Sequence, residues 1–182
     1  ADENIPCFGP SKAAAQLEGS KDFAKHVMKE AGVPTAQSFT CTTQSEIENA
    51  LDTFGAPYVV KHDGLAAGKG VIVCDDKKDA LSAIDEMLVK NSFGSAGSSI
   101  VIEKRIDGIE ASYIALCDGK TAIPMATSQD HKRIFDDDKG PNTGGMGAYS
   151  PLPWAPSDII EDTYTKVLAP ATSHTSLLWQ IP

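Results

Sequence analysis

Ten consecutive residues of this 182-residue chain combine glycine, small side chains and lysine in a pattern suited to a polyanionic ligand. Residues 61–70 read Lys-His-Asp-Gly-Leu-Ala-Ala-Gly-Lys-Gly and follow an apolar run. Glycine lets backbone N–H groups turn towards phosphate oxygens, and lysine ammonium groups supply the counter-charge. The segment therefore predicts a loop that binds a polyphosphate nucleotide. The alternative is a flexible glycine hairpin with surface lysines.

The spacing of this loop differs from that of a Walker loop, whose pattern is G-x-x-x-x-G-K-[ST]. Only three residues separate Gly64 from Gly68, and Gly70 follows Lys69 where a Walker loop has a magnesium-binding hydroxyl. The β-branched run at 71–74 then predicts a strand and not a helix. Strand, loop and strand form a hairpin flap, so a P-loop NTPase is the weakest interpretation.

A second candidate segment lies where an apolar strand ends in charged residues. Residues 101–106 read Val-Ile-Glu-Lys-Arg-Ile, and a strand end of this kind can offer alternate backbone C=O and N–H groups to an adenine edge. Glu110, seven residues after Glu103, is placed to accept hydrogen bonds from ribose hydroxyls. The alternative is an edge strand whose charges prevent aggregation. The glycine loop upstream favours the nucleotide interpretation.

Two further segments concentrate ionisable side chains and glycines. Residues 129–133 read Gln-Asp-His-Lys-Arg, and residues 140–149 read Gly-Pro-Asn-Thr-Gly-Gly-Met-Gly-Ala-Tyr. Together they can hold an anionic substrate and a transferring phosphoryl group, with Lys132 and Arg133 as charge partners. For His131 alone a structural hydrogen bond is the default expectation, and the acidic run 136–139 fits a solvated loop tip.

Composition excludes several other classes of protein. Hydrophobic residues make up 41% and charged residues 23%, as in ordinary globular proteins, and the length suffices for a core. A net charge of −9 argues against a nucleic-acid partner, and the apolar runs are too short to span a membrane. The four cysteines are widely spaced, which favours a reduced cytoplasmic protein without zinc or a disulfide framework.

Hydrophobic periodicity predicts an α+β fold with mainly antiparallel sheets and flanking helices. Helices are predicted over 21–31 (capped by Ser20), 45–54, 78–88 and 157–168, the last ending before Pro170. Strands are predicted over 58–60, 71–74, 99–103, 111–117 and 121–127. An Asp118-Gly119 turn joins the last two strands, and the stretch 128–156 is predicted to be irregular.

These segments, in this order, resemble the ATP-grasp superfamily, and within it the glycinamide ribonucleotide synthetases, also called phosphoribosylamine–glycine ligases. The motifs DGLAAGKG at 63–70, QDHKR at 129–133 and GPNTGGMGAY at 140–149 carry the resemblance, which covers roughly residues 8–171. The fold implied is an incomplete ATP-grasp fold.

The resemblance also implies a role for each matching residue. Lys21 and Lys61 would hold ATP phosphates beneath the flap, Lys104 and Ile106 would bind adenine through their backbones, and Glu110 would bind the ribose. The full implied nucleotide-binding set is Lys21, Lys61, Asp63, Gly64, Gly68, Lys69, Gly70, Glu103, Lys104, Ile106 and Glu110. The implied catalytic set is Asp130, His131, Lys132 and Arg133. The implied substrate-binding set is Asn142, Thr143, Gly144, Gly145, Met146 and Gly147.

The reaction that the resemblance implies belongs to de novo purine biosynthesis. ATP phosphorylates the glycine carboxylate, and the amine of 5-phosphoribosylamine then displaces phosphate from the glycyl phosphate. ATP and Mg²⁺ are the implied cofactors. Such chemistry needs positioning and charge neutralisation, with no nucleophilic side chain. Another ATP-grasp carboxylate–amine ligase and a non-catalytic ATP-binding module are the alternatives.

The resemblance further implies that the chain is the central portion of a longer enzyme. The expected division is a connector and leading helix at 1–34, a small ATP-grasp subdomain with the flap at 35–107, the first part of the larger subdomain at 108–171, and an unmatched tail at 172–182. We expect the metal ligands in a segment absent from this chain, which would then be inactive alone. Apolar edges left by truncation would favour self-association.

Overall fold

The computed structural model describes residues 9–65, 70–88, 99–118, 120–137 and 139–175. The chain folds as two compact units. The first unit comprises residues 15–29 and 35–107, and the second comprises residues 1–14, 30–34 and 108–182. The finer division into subdomains stays a prediction. Within the described ranges, no helix combines the length and the apolar character needed to cross a membrane.

The first unit is built on a four-stranded antiparallel sheet whose strand order is β1-β4-β2-β3. Its strands are β1 (Ser38–Cys41), β2 (Tyr58–His62), β3 (Val71–Cys74) and β4 (Ile100–Lys104). Its helices are α1 (Gln16–Gly19), α2 (Lys21–Glu30), α3 (Gln44–Phe54) and α4 (Lys77–Leu88). The predicted hairpin of β2 and β3 is confirmed, as are the first three predicted helices.

One face of this sheet forms the core of the first unit. Val60, Ile100 and Ile102 are fully buried on that face and pack in one cluster with Leu51 of α3 and Ile84 of α4. Successive side chains of a strand point to opposite faces. The other face of β2 and β4 therefore carries the polar residues of interest for binding.

Local signals explain where the elements begin and end. The Ser20 hydroxyl accepts from the Phe23 N–H at 3.1 Å, which confirms the predicted cap of α2. Thr43 and Glu46 form a reciprocal capping box, so α3 begins at Gln44, one residue earlier than predicted. Gly55, with φ of 66°, ends α3 as predicted.

The second unit contains three short antiparallel ladders, which pair β5 with β6, β7 with β10, and β8 with β9. Its strands are β5 (Ala115–Cys117), β6 (Ala122–Pro124), β7 (Gln129–Asp130), β8 (Arg133–Phe135), β9 (Lys139–Asn142) and β10 (Ala148–Tyr149). Its helical segments are α5 (Ser157–Thr163), a π-helical turn (Tyr164–Leu168) and α6 (Ala169–Thr175). The α+β fold class with mainly antiparallel pairing is thereby confirmed.

Two strand predictions in the second unit are wrong in extent. The predicted strand 111–117 changes partner along its length, because Ser112 bridges Ser128 whereas only Ala115–Cys117 pairs with β6. Both strands of this hairpin are therefore three residues long. The stretch 128–156 is also less irregular than predicted, since it contains β7 to β10. Gly119 of the predicted turn lies outside the described residues.

The predicted C-terminal end of the last helix is wrong. It continues through Pro170 to Thr175 and does not stop before the proline. A proline ring clashes with the carbonyl four residues earlier in a regular α-helix. Here the wider π turn precedes Pro170, and the Ala169 N–H bonds to the Tyr164 carbonyl five residues back. The altered hydrogen-bond register accommodates the ring.

Candidate functional site

The polar face of the first unit's sheet holds a buried carboxylate between two lysines. Glu103 of β4 is 6% exposed. Its Oε2 lies 2.9 Å from Nζ of Lys61 on β2, and its Oε1 lies 3.2 Å from Nζ of Lys25 on α2. Lys61 is the diagonal cross-strand neighbour of Glu103, because Lys61 pairs with Val101. The register of β2 and β4 thus sets this contact.

The N-terminus of α2 is joined to the beginning of the glycine loop through Asp63. Its Oδ1 accepts from the backbone N–H groups of Lys21 at 2.7 Å and Asp22 at 3.2 Å. The Ser20 and Ser99 hydroxyls donate to the same carboxylate at 3.2 and 3.4 Å. An anion at a helix N-terminus is favourable, because the helix dipole and free N–H groups meet it there. Asp63 therefore fixes the loop to the helix that carries Lys21.

The base of the glycine loop is closed by two further contacts. Lys21 Nζ donates to the Gly64 carbonyl at 2.8 Å. The His62 N–H donates to the Gly70 carbonyl at 2.8 Å, which closes the loop where β2 and β3 diverge. Gly64 has φ of 114°, a conformation that favours glycine. Gly68 and Lys69, also predicted to bind the nucleotide, lie outside the described residues.

The predicted adenine-binding segment follows Glu103 at the end of β4. The Lys104 N–H donates to the Gln37 carbonyl at 3.0 Å, which holds this end of the strand beside the segment leading into β1. The Arg105 guanidinium forms an ion pair with Asp107, with 2.9 Å between Nε and Oδ1. The Ile106 side chain is 71% exposed. The roles of Lys104 and Ile106 toward adenine stay predictions.

In the second unit, the QDHKR segment and the glycine-rich segment pair along nearly their whole length. Gln129 and Asp130 pair with Tyr149 and Ala148 in the ladder of β7 and β10. Next to this ladder, the His131 N–H donates to the Gly147 carbonyl at 2.9 Å.

The same pairing continues towards β8 and β9. The His131 carbonyl accepts from the Met146 N–H at 2.7 Å, and the Lys132 carbonyl accepts from the Thr143 N–H at 2.6 Å. Thr143 Oγ1 also donates to the Lys132 carbonyl at 2.9 Å. The predicted catalytic set and the predicted substrate-binding set therefore lie on two adjoining stretches of backbone.

A cavity of about 350 Å³ opens beside these paired segments. Its lining includes the side chains of His131, Arg133, Phe135 and Met146. Arg133 is held in place by its guanidinium, which donates to the Gly140 carbonyl at 2.6 Å. A Cβ at Gly140 would approach Phe135 to 2.5 Å, so glycine is required where the segments come close. The cavity is large enough for a small polar substrate.

Lys132, which lies between two cavity-lining residues in the chain, is paired with two carboxylates. Lys132 Nζ donates to Oε1 of Glu110 at 2.7 Å and lies 3.7 Å from Oδ2 of Asp130. The hydrogen bond that Lys132 donates to Glu110 raises the pKa of Lys132. His131 stacks on Tyr149 with 5.7 Å between ring centroids. Glu110, predicted to bind ribose, thus contacts the predicted catalytic segment.

Sequence reasoning missed Lys25, Ser20 and Ser99 as partners of the predicted site residues. One signal was available for Lys25, because it lies four residues after Lys21 and so on the same helix face. Within the described ranges, no three or more His, Cys, Asp or Glu side chains cluster as metal ligands would. The lysine ammonium groups and backbone N–H groups of the first unit are donors that suit a polyanion.

Comparison with known proteins places most of the chain in one family. The family model for the phosphoribosylglycinamide synthetase ATP-grasp (A) domain matches residues 19–176. A phosphoribosylamine–glycine ligase from Streptomyces coelicolor is 52% identical over 170 residues, which cover 93% of this chain and 38% of that protein. One from Ralstonia nicotianae is 58% identical over 151 residues, covering 83% of this chain and 36% of that protein.

A solved structure agrees with these sequence matches. The crystal structure of a phosphoribosylamine–glycine ligase from Thermotoga maritima superposes with a TM-score of 0.82 at 35% identity. The match covers 93% of this chain and 42% of that one. The ATP-grasp fold expected from the sequence motifs is thereby confirmed. The chain spans less than two fifths of the length of the curated relatives described here.

Proposed function

The chain belongs to the phosphoribosylglycinamide synthetase ATP-grasp family, and on that basis we propose that it is the nucleotide-binding part of a phosphoribosylamine–glycine ligase. Such an enzyme uses ATP to join glycine to 5-phosphoribosylamine. The carboxylate of glycine first takes the γ-phosphoryl group, and the amine then displaces phosphate from the resulting glycyl phosphate. The new C–N amide bond replaces the C–O bond to phosphate, the amine loses one proton, and ATP leaves as ADP and phosphate.

The observation that carries this proposal is the pairing of the QDHKR segment with the glycine-rich segment. Their backbone contacts place the ionisable run beside a glycine cradle and a cavity of about 350 Å³. Arg133, which lines the cavity, would supply positive charge for an anionic substrate and for a phosphoryl group in transfer. Thr143 and its neighbouring glycines are suited to bind the substrate closely, because their side chains are small.

The first unit supports binding of the ATP phosphates. Lys61 is 25% exposed and has its ammonium fixed against Glu103, so it is ordered before a ligand arrives. Lys21 lies at the base of the flap, where its ammonium contacts Gly64. We propose that both lysines contact the phosphates. The backbone C=O of Lys104 and N–H of Ile106 would take the adenine edge.

No side chain has to act as a nucleophile in this reaction. Phosphoryl transfer depends on positioning and on neutralisation of the charge that spreads over the transferring oxygens. The loop at 63–70 would exclude water, which would otherwise hydrolyse an acyl phosphate. Magnesium supplies charge neutralisation in this class of reaction.

The proposal is tested by calorimetric titration of this chain with a non-hydrolysable ATP analogue and Mg²⁺. We expect Lys61→Met to weaken binding at least about tenfold, since a charge-assisted hydrogen bond to phosphate would be lost. Lys29→Met, on an exposed position of α2, is the matched control and should bind like the parent. Circular dichroism must show the same folded content in all three proteins.

Two results would contradict the proposal. A folded parent chain that binds no nucleotide would remove the basis for the nucleotide-binding role. Equal affinity of the Lys61→Met variant and the parent would mean that the nucleotide binds elsewhere on the chain.

A further inference from the structure

Lys25 has contacts that distinguish it from the other lysines of the first unit. An ammonium group has three N–H donors. Lys25 Nζ lies 2.7 Å from Thr35 Oγ1, 2.9 Å from the Ala36 carbonyl and 3.2 Å from Glu103 Oε1. Three protein oxygens thus match its three donors, and the side chain is only 15% exposed. Lys25 is held as part of the protein framework and is not available to a ligand.

The charges around Glu103 give this arrangement a consequence. The Glu103 side chain is 8% exposed, and each of its two carboxylate oxygens contacts one lysine. With both lysines present the cluster carries a net charge of +1, because two ammonium groups oppose one carboxylate. Without Lys25 the net charge would be zero, and Lys61 would be the sole ammonium facing a buried carboxylate. Buried charges interact strongly because the surrounding dielectric constant is low.

We propose that Lys25 is a positioning residue that neutralises Glu103 and thereby leaves the Lys61 ammonium with a net positive charge for a polyphosphate ligand. This inference rests on the proposed nucleotide-binding function. Lys25 acts through Glu103 and does not touch the ligand. Glu103 contacts Lys61 from across the strand pair, and a glutamine at this position would keep an oxygen that accepts from Lys61 without the charge that competes with phosphate.

The proposal predicts that a second substitution, at Glu103, restores the affinity that Lys25→Met loses. Lys25→Met should weaken binding of a non-hydrolysable ATP analogue about tenfold, because Glu103 then competes with phosphate for Lys61. Adding Glu103→Gln to Lys25→Met removes that competitor and restores the net charge on Lys61. The double variant should therefore recover affinity to within about threefold of the parent. A role of Lys25 in packing alone predicts the reverse, since the second substitution would remove a further contact.

The experiment is calorimetric titration of the parent, the two variants and Lys25→Arg, each with the ATP analogue and with inorganic tripolyphosphate. Lys25→Arg keeps the charge and should bind like the parent, and it covers the case in which Lys25→Met unfolds. Lys29→Met, one turn further along α2 and exposed, is the control for a lost lysine. Both probes should respond alike, because the effect is on the phosphates and not on adenine.

The outcomes separate this inference from the function on which it depends. If the parent binds neither probe, both the proposed function and this inference are overturned. If the parent binds and Lys25→Met binds equally well, only the inference is overturned. If Lys25→Met loses affinity and the double variant does not regain it, Lys25 is a packing residue and the inference is again overturned.

Discussion

Replacing Asp63 by Asn tests whether this residue fixes the glycine loop to helix α2. The substitution keeps an oxygen that can accept from the Lys21 and Asp22 N–H groups, and it removes the negative charge. An anion at a helix N-terminus contributes about 0.3–1 kcal/mol, and about 2 kcal/mol when partly buried. The new amide nitrogen also takes the place of an oxygen that accepts from the Ser20 and Ser99 hydroxyls, so one acceptor becomes a donor. We therefore expect a loss of about 1–2 kcal/mol in the free energy of unfolding.

The assay is urea unfolding followed by far-UV circular dichroism, with a matched substitution as control. Asp52→Asn makes the same chemical change in an exposed ion pair with Lys77, where solvent screens the charges and we expect a clearly smaller loss. In thermal unfolding, Asp63→Asn should lower Tm by about 2–4 °C for each kcal/mol lost. If Asp63→Asn costs no more than Asp52→Asn, the carboxylate does not stabilise the contact between loop and helix, and this reasoning is refuted.

Three further predictions concern the second unit and the buried thiols. Gly140→Ala should destabilise the chain by about 1–2 kcal/mol in urea unfolding, because φ is 84° and a Cβ would meet Phe135. Gly144→Ala, with open space around it, should change little, and equal losses for the two variants would contradict the clash. Burial raises the pKa of the Cys41 thiol from 9.0 to about 11, so the folded state retains the proton longer than the unfolded state. The resulting stability is present below pH 9 and falls as the pH rises towards 11. A Cys41→Ala variant should show a shallower fall over that interval, and an unchanged pH profile would refute the assignment. Finally, Glu110→Gln should lower the pKa of Lys132, measured by NMR titration of the lysine side chain, and an unmoved pKa would exclude their hydrogen bond.

The elements that could be predicted from the sequence are those marked by local signals. Helix α3 is marked by its apolar period and its terminal Gly55, and the hairpin of β2 and β3 by two β-branched runs around the glycine loop. Strand β1 was missed, because Ser38–Cys41 is short and is stabilised by pairing with β4, some sixty residues away. Local periodicity does not record a pairing over that separation.

The site was predictable at the level of segments and not of contacts. Glycine density and clustered charge identified both the loop at 63–70 and the paired segments at 129–133 and 140–149. The position of Lys25 beside Glu103 depends on how α2 lies on the sheet of the first unit, which no motif encodes. Helix α6 shows the same limit, since the π turn that accommodates Pro170 has no signature in the sequence.

The central claim is tested most directly by a chimera in which residues 19–176 of this chain replace the matching segment of the Streptomyces coelicolor ligase. The measurement is ADP release in the presence of ATP, Mg²⁺, glycine and 5-phosphoribosylamine. It is repeated without glycine and then without 5-phosphoribosylamine. We expect release that requires both glycine and 5-phosphoribosylamine and that falls sharply in the Lys61→Met chimera. A folded chimera that binds the ATP analogue but releases no ADP when glycine and 5-phosphoribosylamine are both present would contradict it.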